Sequence, residues 1–207
     1  MPETFVSRHP VVLQKLTQLR SQDTEASDFR ELLRQLSHFI GMEALADLPT
    51  SMAPVRTPLQ ECSGVSVTES VALIPILRAG LGMVDGMLSM IPDAKVRHVG
   101  YYRNEQTLQP VAYYSKLAES TPEDLALLLD PMLATGGSAI AAISAVKEWG
   151  PKRIKFLGIL GSPEGVAAVH EAHPEVQIFL CGLDERLDER GYILPGLGDA
   201  GDRLYNT

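Results

Sequence analysis

A phosphate-binding turn is the chemistry that the middle of the sequence suggests most strongly. Three leucines, Leu127 to Leu129, lead into Asp130, and a loop of small residues, Ala134 to Ser138, follows. Open α/β sheets bind ligands at the carboxyl ends of their strands, where such a strand would end. Two glycines and two hydroxyl residues let successive backbone N–H groups converge on a phosphate, and the helix that follows adds its positive end. The segment therefore predicts a phosphate site; a tight connection without a ligand is the alternative.

The same loop lacks two familiar nucleotide-binding motifs. It contains neither the Gly-Lys-Ser/Thr of a nucleotide P-loop nor the Gly-x-Gly-x-x-Gly of a dinucleotide fold. A β-branched residue at Gly137 is expected to disturb the turn, because it resists a positive φ and fills space that a phosphate needs.

Two arginines are candidates for binding a second anionic group. Arg78 comes directly before Ala79 and Gly80 at the end of an apolar run, and Arg103 follows another such run. Arginine offers a bidentate fork that lysine lacks, which suits phosphate oxygens. Ion pairing at the surface is the alternative interpretation of both residues.

Other candidate chemistries are weaker. His170 and His173 are three residues apart, whereas a zinc helix needs His-Glu-x-x-His, and Cys62 and Cys181 have no paired spacing. The acidic pairs at 184–185 and 188–189 are interpreted as a solvated turn. The whole segment 184–207 is glycine-rich, charged and without regular pattern, and so long a stretch is more often functional than idle.

The elements that must position these residues alternate between strand and helix. Short continuous apolar runs fit strands buried on both faces, and their alternation with helices is typical of a parallel sheet. The predicted strands are Val71 to Leu77, Val96 to Tyr101, Leu125 to Leu129, Ile154 to Leu160 and Val176 to Leu180. The predicted helices between them are Gly80 to Met90, Ser138 to Trp149, and Ser162 to His173 with Ser162 as N-cap.

The N-terminal part adds a helix over 28–48, with Ser27 or Asp28 as N-cap, and a shorter helix around Leu13 to Leu19. Thr50 to Gly64 is predicted to be a loop or an edge hairpin. The predicted fold class is therefore α/β, with a mostly parallel five-stranded core sheet and helices on both faces. A small hood or flap is expected from the N-terminal region and the C-terminal tail.

Composition limits the partners. The 207 residues carry a formal charge of −8, which opposes broad contact with nucleic acid or an acidic membrane surface. No window approaches the roughly 18 to 20 apolar residues that span a bilayer, and the N-terminus lacks the apolar core of a signal peptide. We therefore expect a soluble cytoplasmic protein with no nucleic acid and no membrane among its partners.

These segments together resemble the type I phosphoribosyltransferases. Asp130 to Ser138 is similar to their phosphoribosyl pyrophosphate loop, although Pro131 stands where most members have a second acid. That departure is itself similar to the uracil branch. Three further segments match the same branch: Pro75 to Gly82, Tyr102 to Glu105, and Gly191 to Arg203. The resemblance implies that residues 1–207 form one phosphoribosyltransferase domain that converts uracil and phosphoribosyl pyrophosphate to UMP and pyrophosphate.

The resemblance also implies roles for individual residues. The catalytic residues would be Arg78, Arg103, Asp130 and Asp199. Phosphoribosyl pyrophosphate would be bound by Arg78, Arg103, Asp130, Pro131, Met132, Leu133, Ala134, Thr135, Gly136, Gly137, Ser138 and Asp199. Uracil would be bound by Ile193, Gly198, Asp199 and Ala200, mainly through the backbone.

Mg²⁺ is the implied cofactor, held mainly through phosphoribosyl pyrophosphate rather than by a protein metal site. GTP is an implied activator, as in some relatives, and a homodimer or higher homo-oligomer is the implied assembly. For the uracil N1 proton, bound pyrophosphate and Asp199 both remain open as the base.

Two rival functions share this fold. A regulator that senses UMP or phosphoribosyl pyrophosphate without catalysis need not retain Arg78, Arg103, Asp130 and Asp199 together. A transferase for a purine base would stack the base on an aromatic side chain in another loop, whereas Gly191 to Arg203 resembles the uracil version.

Overall fold

Strands and helices alternate along the chain, of which the computed structural model describes residues 3–103, 110–115, 117 and 121–207. The strands are β1 (Thr4–Val6), β2 (Thr50–Arg56), β3 (Glu61–Val67), β4 (Val71–Leu77), β5 (Lys95–Val96), β6 (Val99–Arg103), β7 (Pro110–Ser115), β8 (Leu125–Leu129), β9 (Met132–Leu133), β10 (Arg153–Gly161), β11 (Gln177–Leu183), β12 (Arg186–Leu187) and β13 (Ile193–Leu194). The helices are α1 (Pro10–Arg20), α2 (Ala26–Ala44), α3 (Leu81–Leu88), α4 (Gly137–Trp149), α5 (Pro163–Ala172) and α6 (Ala200–Tyr205).

The central sheet has the order β1-β11-β10-β8-β4-β6-β7, with the short strands β5 and β9 paired to β4 and β10. Among the described residues, the pairing of β6 with β7 is antiparallel and all other pairings in this sheet are parallel. This confirms the predicted α/β class with a mostly parallel sheet. The sheet is wider than the five predicted strands, because β1 and β7 extend its edges. The predicted strand Val96 to Tyr101 is interrupted and forms the end of β5 and most of β6.

Alternate residues of the central strands enter two separate cores. Leu73, Leu127 and Leu157 face the side covered by α1, α2, α3 and α6, while their neighbours Ile74 and Leu128 face the side covered by α4 and α5. All five side chains are fully buried. Burial of such a side chain contributes roughly 1.5 to 3 kcal/mol, so both faces hold the central strands firmly. The rigid carboxyl ends of β4 and β8 therefore make a stable base for a site.

Helix α2 differs from the prediction at both ends. It begins at Ala26 with Glu25 as the N-cap residue, so Ser27 and Asp28 lie in its first turn instead of capping it. Asp28 still interacts favourably there with the positive end of the helix. The helix ends at Ala44 rather than at residue 48, and the buried Lys155 donates a 2.7 Å hydrogen bond to the Ala44 carbonyl oxygen. That bond satisfies an acceptor that a helix end leaves unpaired.

Residues 50–67 form a two-stranded antiparallel hairpin, β2 with β3, which is separate from the central sheet in the part of the chain that the structure describes. The prediction of a hairpin is confirmed, but it is not an edge of the core sheet. The C-terminal segment contains regular structure that its sequence did not reveal: β12 pairs with β13, and α6 packs on α2. None of the described helices combines the length and apolar character needed to cross a membrane.

Candidate active site

A cleft of about 410 Å³ opens beyond the carboxyl ends of β4 and β8, where the phosphate turn and the C-terminal tail face each other. Both predicted halves of the site contribute to its wall. The lining residues are Ala79, Asp130, Met132, Ala134, Ser138, Arg190, Gly191, Tyr192, Ile193, Gly198, Asp199, Ala200 and Gly201. The fold therefore brings together residues that are up to about 120 positions apart in sequence.

The turn between β9 and α4 leaves its backbone N–H groups available. Gly136 is the N-cap residue of α4 and has a φ of 82°, in the left-handed region. None of the N–H groups of residues 135–138 donates a hydrogen bond to another residue that the structure describes. Several unpaired amides at the positive end of a 13-residue helix form a ready site for an anion.

The glycine that needs the left-handed conformation is Gly136 rather than Gly137. Gly137 is the first residue of α4 and is not among the described glycines with positive φ. The prediction that a β-branched residue at Gly137 would resist a positive φ is therefore wrong for Gly137, and this backbone conflict is expected at Gly136 instead. A Cβ at Gly136 would also lie 3.1 Å from the Gly165 carbonyl oxygen.

A serine from the neighbouring loop holds the turn from behind. The fully buried Ser162, at the N-cap of α5 as predicted, donates a 2.7 Å hydrogen bond to the Ala134 carbonyl oxygen and accepts one from the Gly165 amide. Pro131 and Leu133 are buried beneath the turn, outside the cleft wall, and the Leu133 carbonyl accepts the Ser162 amide. Thr135 is exposed. The two hydrogen bonds of Ser162 therefore fix the path of the chain at Leu133 and Ala134, where it enters the turn.

Asp130 is the acidic residue at the start of the turn segment, and it lines the cleft. Burial is the main reason why the pKa of Asp130 rises to about 7; the amide of Met132, 3.4 Å from Oδ1, lowers it, and the charge of Asp199 raises it. A carboxyl group in this state gains from hydroxyl donors or a cation beside it, because either stabilises the charged form. Asp130 is therefore suited to accept hydrogen bonds from a polyhydroxyl ligand.

The tail forms the opposite wall and includes residues with little or no side chain exposed. Ile193 and Ala200 line the cleft although only 4% and 3% of their surface is exposed, and both belong to the core. Gly198 has a φ of 81°. Asp199 is the N-cap residue of α6, and its Oδ1 accepts the Asp202 amide at 3.0 Å.

The two predicted arginines stand in different situations. Arg78 follows β4, and its guanidinium lies 3.6 Å from Asp202 with 60% of the side chain exposed. The hydroxyl of Tyr205 donates to the Arg78 carbonyl oxygen at 3.2 Å. Arg103 is the last residue of β6, and its side chain, like Asn104 and Glu105, lies outside the described residues.

Long-range contacts that the sequence did not predict hold the tail. Arg203 donates to the carbonyl oxygens of Leu197 and Leu19 at 2.9 and 2.7 Å. The side chain of Asp184 is 6% exposed and pairs with Arg20 of α1, so the interpretation of this acid as part of a solvated turn is wrong. Sequence spacing holds no signal for the contacts of Arg203 with Leu19 and of Asp184 with Arg20, because these partners lie more than 160 positions apart. Arg190 and Tyr192 also line the cleft, although neither was predicted from the sequence as a site residue. Their position on either side of Gly191, at the start of a segment predicted to bind uracil, could have identified them.

A larger cleft, of about 690 Å³, opens near the amino end of β4 and is lined mainly by apolar residues. It lies at the opposite end of the strands from the phosphate turn, and sheets of this class bind their ligands at the carboxyl ends. The smaller cleft is therefore the candidate active site.

Comparison with known proteins gives a consistent result. A family model described as "Uracil phosphoribosyltransferase" matches residues 6–207. The uracil phosphoribosyltransferase of Roseiflexus castenholzii is 57% identical over 207 residues, covering all of both chains. Those of Streptococcus pneumoniae and Geobacillus kaustophilus are 50% and 49% identical, again with both chains fully covered.

Two solved structures have a similar fold. The AQ2163 protein from Aquifex aeolicus superposes with a TM-score of 0.92 at 39% identity and covers 98% of this chain and 97% of its own. Adenine phosphoribosyltransferase from Trypanosoma brucei, solved with AMP, pyrophosphate and ribose-5-phosphate, has a TM-score of 0.59 at 13% identity and covers 96% and 89%, which shows a shared fold. The chain belongs to the uracil phosphoribosyltransferase family.

Proposed function

We propose that this chain transfers the 5-phosphoribosyl group from phosphoribosyl pyrophosphate to N1 of uracil, giving UMP and pyrophosphate. The observation that carries the proposal is the cleft whose wall joins the phosphate turn, Asp130 and residues 193 and 198–200 of the tail. The named relatives favour uracil as the base and an enzyme over a sensing regulator.

The phosphate turn would bind the 5-phosphate. The four amides at residues 135–138, which have no partner among the described residues, lie at the N-terminal end of α4, whose dipole favours a negative charge. Asp130 would accept hydrogen bonds from the ribose hydroxyls. Charge-assisted bonds of this kind contribute about 1.5 to 3 kcal/mol each, which is enough to orient the sugar.

Arg78 and Arg103 would bind the pyrophosphate. An exposed ion pair such as Arg78 with Asp202 contributes little, about 0 to 1 kcal/mol, so a dianionic ligand can draw the guanidinium away from Asp202. The position of Arg78 at the carboxyl end of β4, one residue before Ala79 in the cleft wall, supports this role.

Uracil would be bound by main-chain groups of Ile193, Gly198, Asp199 and Ala200. The edge of this flat base alternates acceptors with an N–H donor, and a fixed backbone can present the complementary pattern. The left-handed φ of Gly198 turns the chain at this point, and the buried side chains of Ile193 and Ala200 anchor it.

Catalysis would then rest on positioning and charge stabilisation rather than on a covalent intermediate. Pyrophosphate leaves the anomeric carbon, positive charge develops on the ribose, and uracil N1 attacks from the opposite face. Arg78 and Arg103 would stabilise the leaving group, while the phosphate turn and Asp130 hold the sugar in place.

Mg²⁺ is proposed as the cofactor, and the donor set of the cleft fits it. Asp130 and Asp199 both line the cleft and supply the carboxylate oxygens that Mg²⁺ prefers. Within the described residues, no group of three or more His, Cys, Asp or Glu side chains could hold a metal alone. The ion would be held mainly by the substrate. When bound, Mg²⁺ would neutralise charge on the pyrophosphate.

Activation by GTP, assembly into a homodimer or larger homo-oligomer, and a cytoplasmic location are proposed on the family resemblance. Titration of the enzyme with GTP during turnover and light scattering of the purified protein test the first two.

The test of the proposed function is UMP formation from uracil and phosphoribosyl pyrophosphate, followed by absorbance with and without Mg²⁺. Uracil should be used far better than cytosine, because two mismatched hydrogen bonds cost about 1 to 3 kcal/mol each in a closed site. Equal use of cytosine, or transfer to a purine base instead of uracil, would contradict the proposal.

A further inference from the structure

One ion pair holds both polar groups of the Gly196 residue. Arg20 of α1 and Asp184 form a bidentate pair with N–O distances of 2.7 and 2.5 Å. Arg20 Nη1, which donates to Asp184 Oδ2, also donates to the Gly196 carbonyl oxygen at 2.8 Å. Asp184 Oδ2 in turn accepts a hydrogen bond from the Gly196 amide at 2.8 Å. The side chains are largely shielded, with 25% of Arg20 and 6% of Asp184 exposed.

Gly196 lies at the centre of the segment proposed to bind uracil. It is three residues after Ile193 and two before Gly198, and it is buried with a φ of 65°. A Cβ at this position would collide with the Ile193 carbonyl oxygen. The backbone is therefore the part of Gly196 that other residues can hold, and the ion pair holds it at both ends.

The ion pair connects this segment to two firm elements. Asp184 follows β11, and its amide donates to the Gly161 carbonyl oxygen at the end of β10 at 2.9 Å. Arg20 is the last residue of α1, a helix whose buried face includes Leu16 and Leu19. The position of Gly196 is thus defined relative to the central sheet and to α1.

We propose that Arg20 and Asp184 are positioning residues for base recognition: they fix the main chain of Ile193 and Gly198 at the spacing that uracil requires. This proposal rests on the proposed uracil site. Neither residue lines the cleft, so their effect reaches the base through Gly196. Arginine is needed for its fork, since lysine cannot contact both Asp184 oxygens and the Gly196 carbonyl in this geometry.

The experiment compares Arg20→Met, Arg20→Lys and Asp184→Asn with the parent and with Arg153→Met. Arg153 is a matched control because it also bridges two acids, Asp47 and Glu69, but at the amino end of β10. For each protein we would measure kcat, the KM of both substrates, binding of Mg²⁺-phosphoribosyl pyrophosphate by calorimetry, Tm, and amide hydrogen exchange in the 193–200 peptide.

The three site variants should raise the uracil KM about tenfold to a hundredfold, as expected for displaced binding groups, and leave phosphoribosyl pyrophosphate binding essentially unchanged. Arg20→Lys should behave like Arg20→Met, and exchange in the 193–200 peptide should be faster in all three. Arg153→Met should lower Tm but should not raise the KM of uracil relative to the KM of phosphoribosyl pyrophosphate.

The proposal is overturned if Arg20→Met leaves the uracil KM and the exchange of the 193–200 peptide unchanged. It is also overturned if both KM values rise together as in a general loss of stability, or if Arg20→Lys restores the parent uracil KM. A parent that makes no UMP contradicts the proposed function; faster exchange confined to the site variants would then still support the positioning role.

Discussion

The two walls of the active-site cleft are built in opposite ways. The phosphate wall comes from one continuous stretch, Asp130 to Ser138, which follows a central strand and runs directly into α4. The uracil wall comes from the tail, whose short strands and six-residue helix depend on Arg20, Asp184 and Arg203 for their position. The first wall is a continuous strand–turn–helix segment, whereas the second is a short irregular segment that needs an ion pair and hydrogen bonds to α1 for its position.

This difference has an energetic consequence. The phosphate turn rests on two apolar cores and on the buried Ser162, so its geometry should persist as long as the sheet is folded. The tail buries Leu197 and Leu204 in one of these cores, but its path between the buried residues depends on charged hydrogen bonds, each of which contributes about 1.5 to 3 kcal/mol and is made by a single side chain. Single substitutions should therefore loosen the uracil wall without unfolding the phosphate wall.

The largest effect is expected for Gly136→Val. Valine resists the φ of 82°, and its Cβ would lie 3.1 Å from the Gly165 carbonyl oxygen and 3.2 Å from Ala168, so the amides of the turn would be displaced. Calorimetry should show that binding of Mg²⁺-phosphoribosyl pyrophosphate falls by at least about a hundredfold, the loss expected when anchoring groups move by 1 Å.

Gly150→Val is the matched control for this prediction. Gly150 ends the same helix with a φ of 98°, and the nearest atom to an added Cβ is 4.0 Å away. Both variants carry the left-handed penalty of roughly 1 to 2 kcal/mol, so both should lower Tm. Equal loss of phosphoribosyl pyrophosphate binding in the two would show that general stability, and not the turn, is responsible.

Gly198→Val should act on the other wall. The φ of 81° is unfavourable for valine, although an added Cβ would meet only Arg203 Cδ at 3.8 Å, so the cost arises in the backbone. The uracil KM should rise about tenfold to a hundredfold while phosphoribosyl pyrophosphate binding survives. Loss of phosphoribosyl pyrophosphate binding with intact uracil affinity would reverse the assignment of the two walls.

Arg203→Lys should weaken the attachment of the tail to α1. The guanidinium bonds three carbonyl oxygens at 2.6 to 2.9 Å, those of Leu19, Ser21 and Leu197, and lies 4.4 Å from the ring centre of Phe29. Lysine keeps the charge but cannot reach all of them, so the free energy of unfolding should fall by about 2 to 4 kcal/mol. Urea denaturation measures this change, and a lysine variant as stable as the parent would show that charge alone suffices.

The phosphate wall could be predicted from the sequence better than the uracil wall, because its signals are local. Val71–Leu77 and Leu125–Leu129 match the predicted strands at both ends, because an apolar run between polar residues is a local signal. The cleft residues near Asp130 follow from that strand and the turn after it. The role of Asp184 could not be predicted, because an acid beside another acid looks solvated until the fold brings Arg20 against it. Even in the turn, spacing could not decide which of two adjacent glycines is left-handed.

Asp130 is expected to lower the stability of the folded chain while it serves ligand binding. With its pKa raised to about 7, Asp130 keeps a proton in the folded chain that an unfolded carboxyl loses near pH 4. The folded state therefore binds more protons between about pH 4 and 7, and stability falls as the pH rises through this window. Asp130→Asn removes that penalty, so the variant should be more stable than the parent above pH 7 and equally stable near pH 4. Its turnover should nevertheless fall by about one to two decades, because the ribose hydroxyls lose a charged acceptor.

Asp124→Asn is the control with the opposite sign. Hydrogen bonds from Lys152 and Ser70 lower the pKa of Asp124, so the ionised form stabilises the folded chain and this contribution is lost as the pH falls. Asp124→Asn should therefore reduce Tm at pH 8 and leave turnover intact, since Asp124 lies at the amino end of β8. Thermal denaturation of both variants at pH 5 and pH 8 gives the comparison. If Asp130→Asn also lowered Tm at pH 8, the charged Asp130 would stabilise the folded chain. That result would contradict the prediction that Asp130 lowers stability while it serves ligand binding.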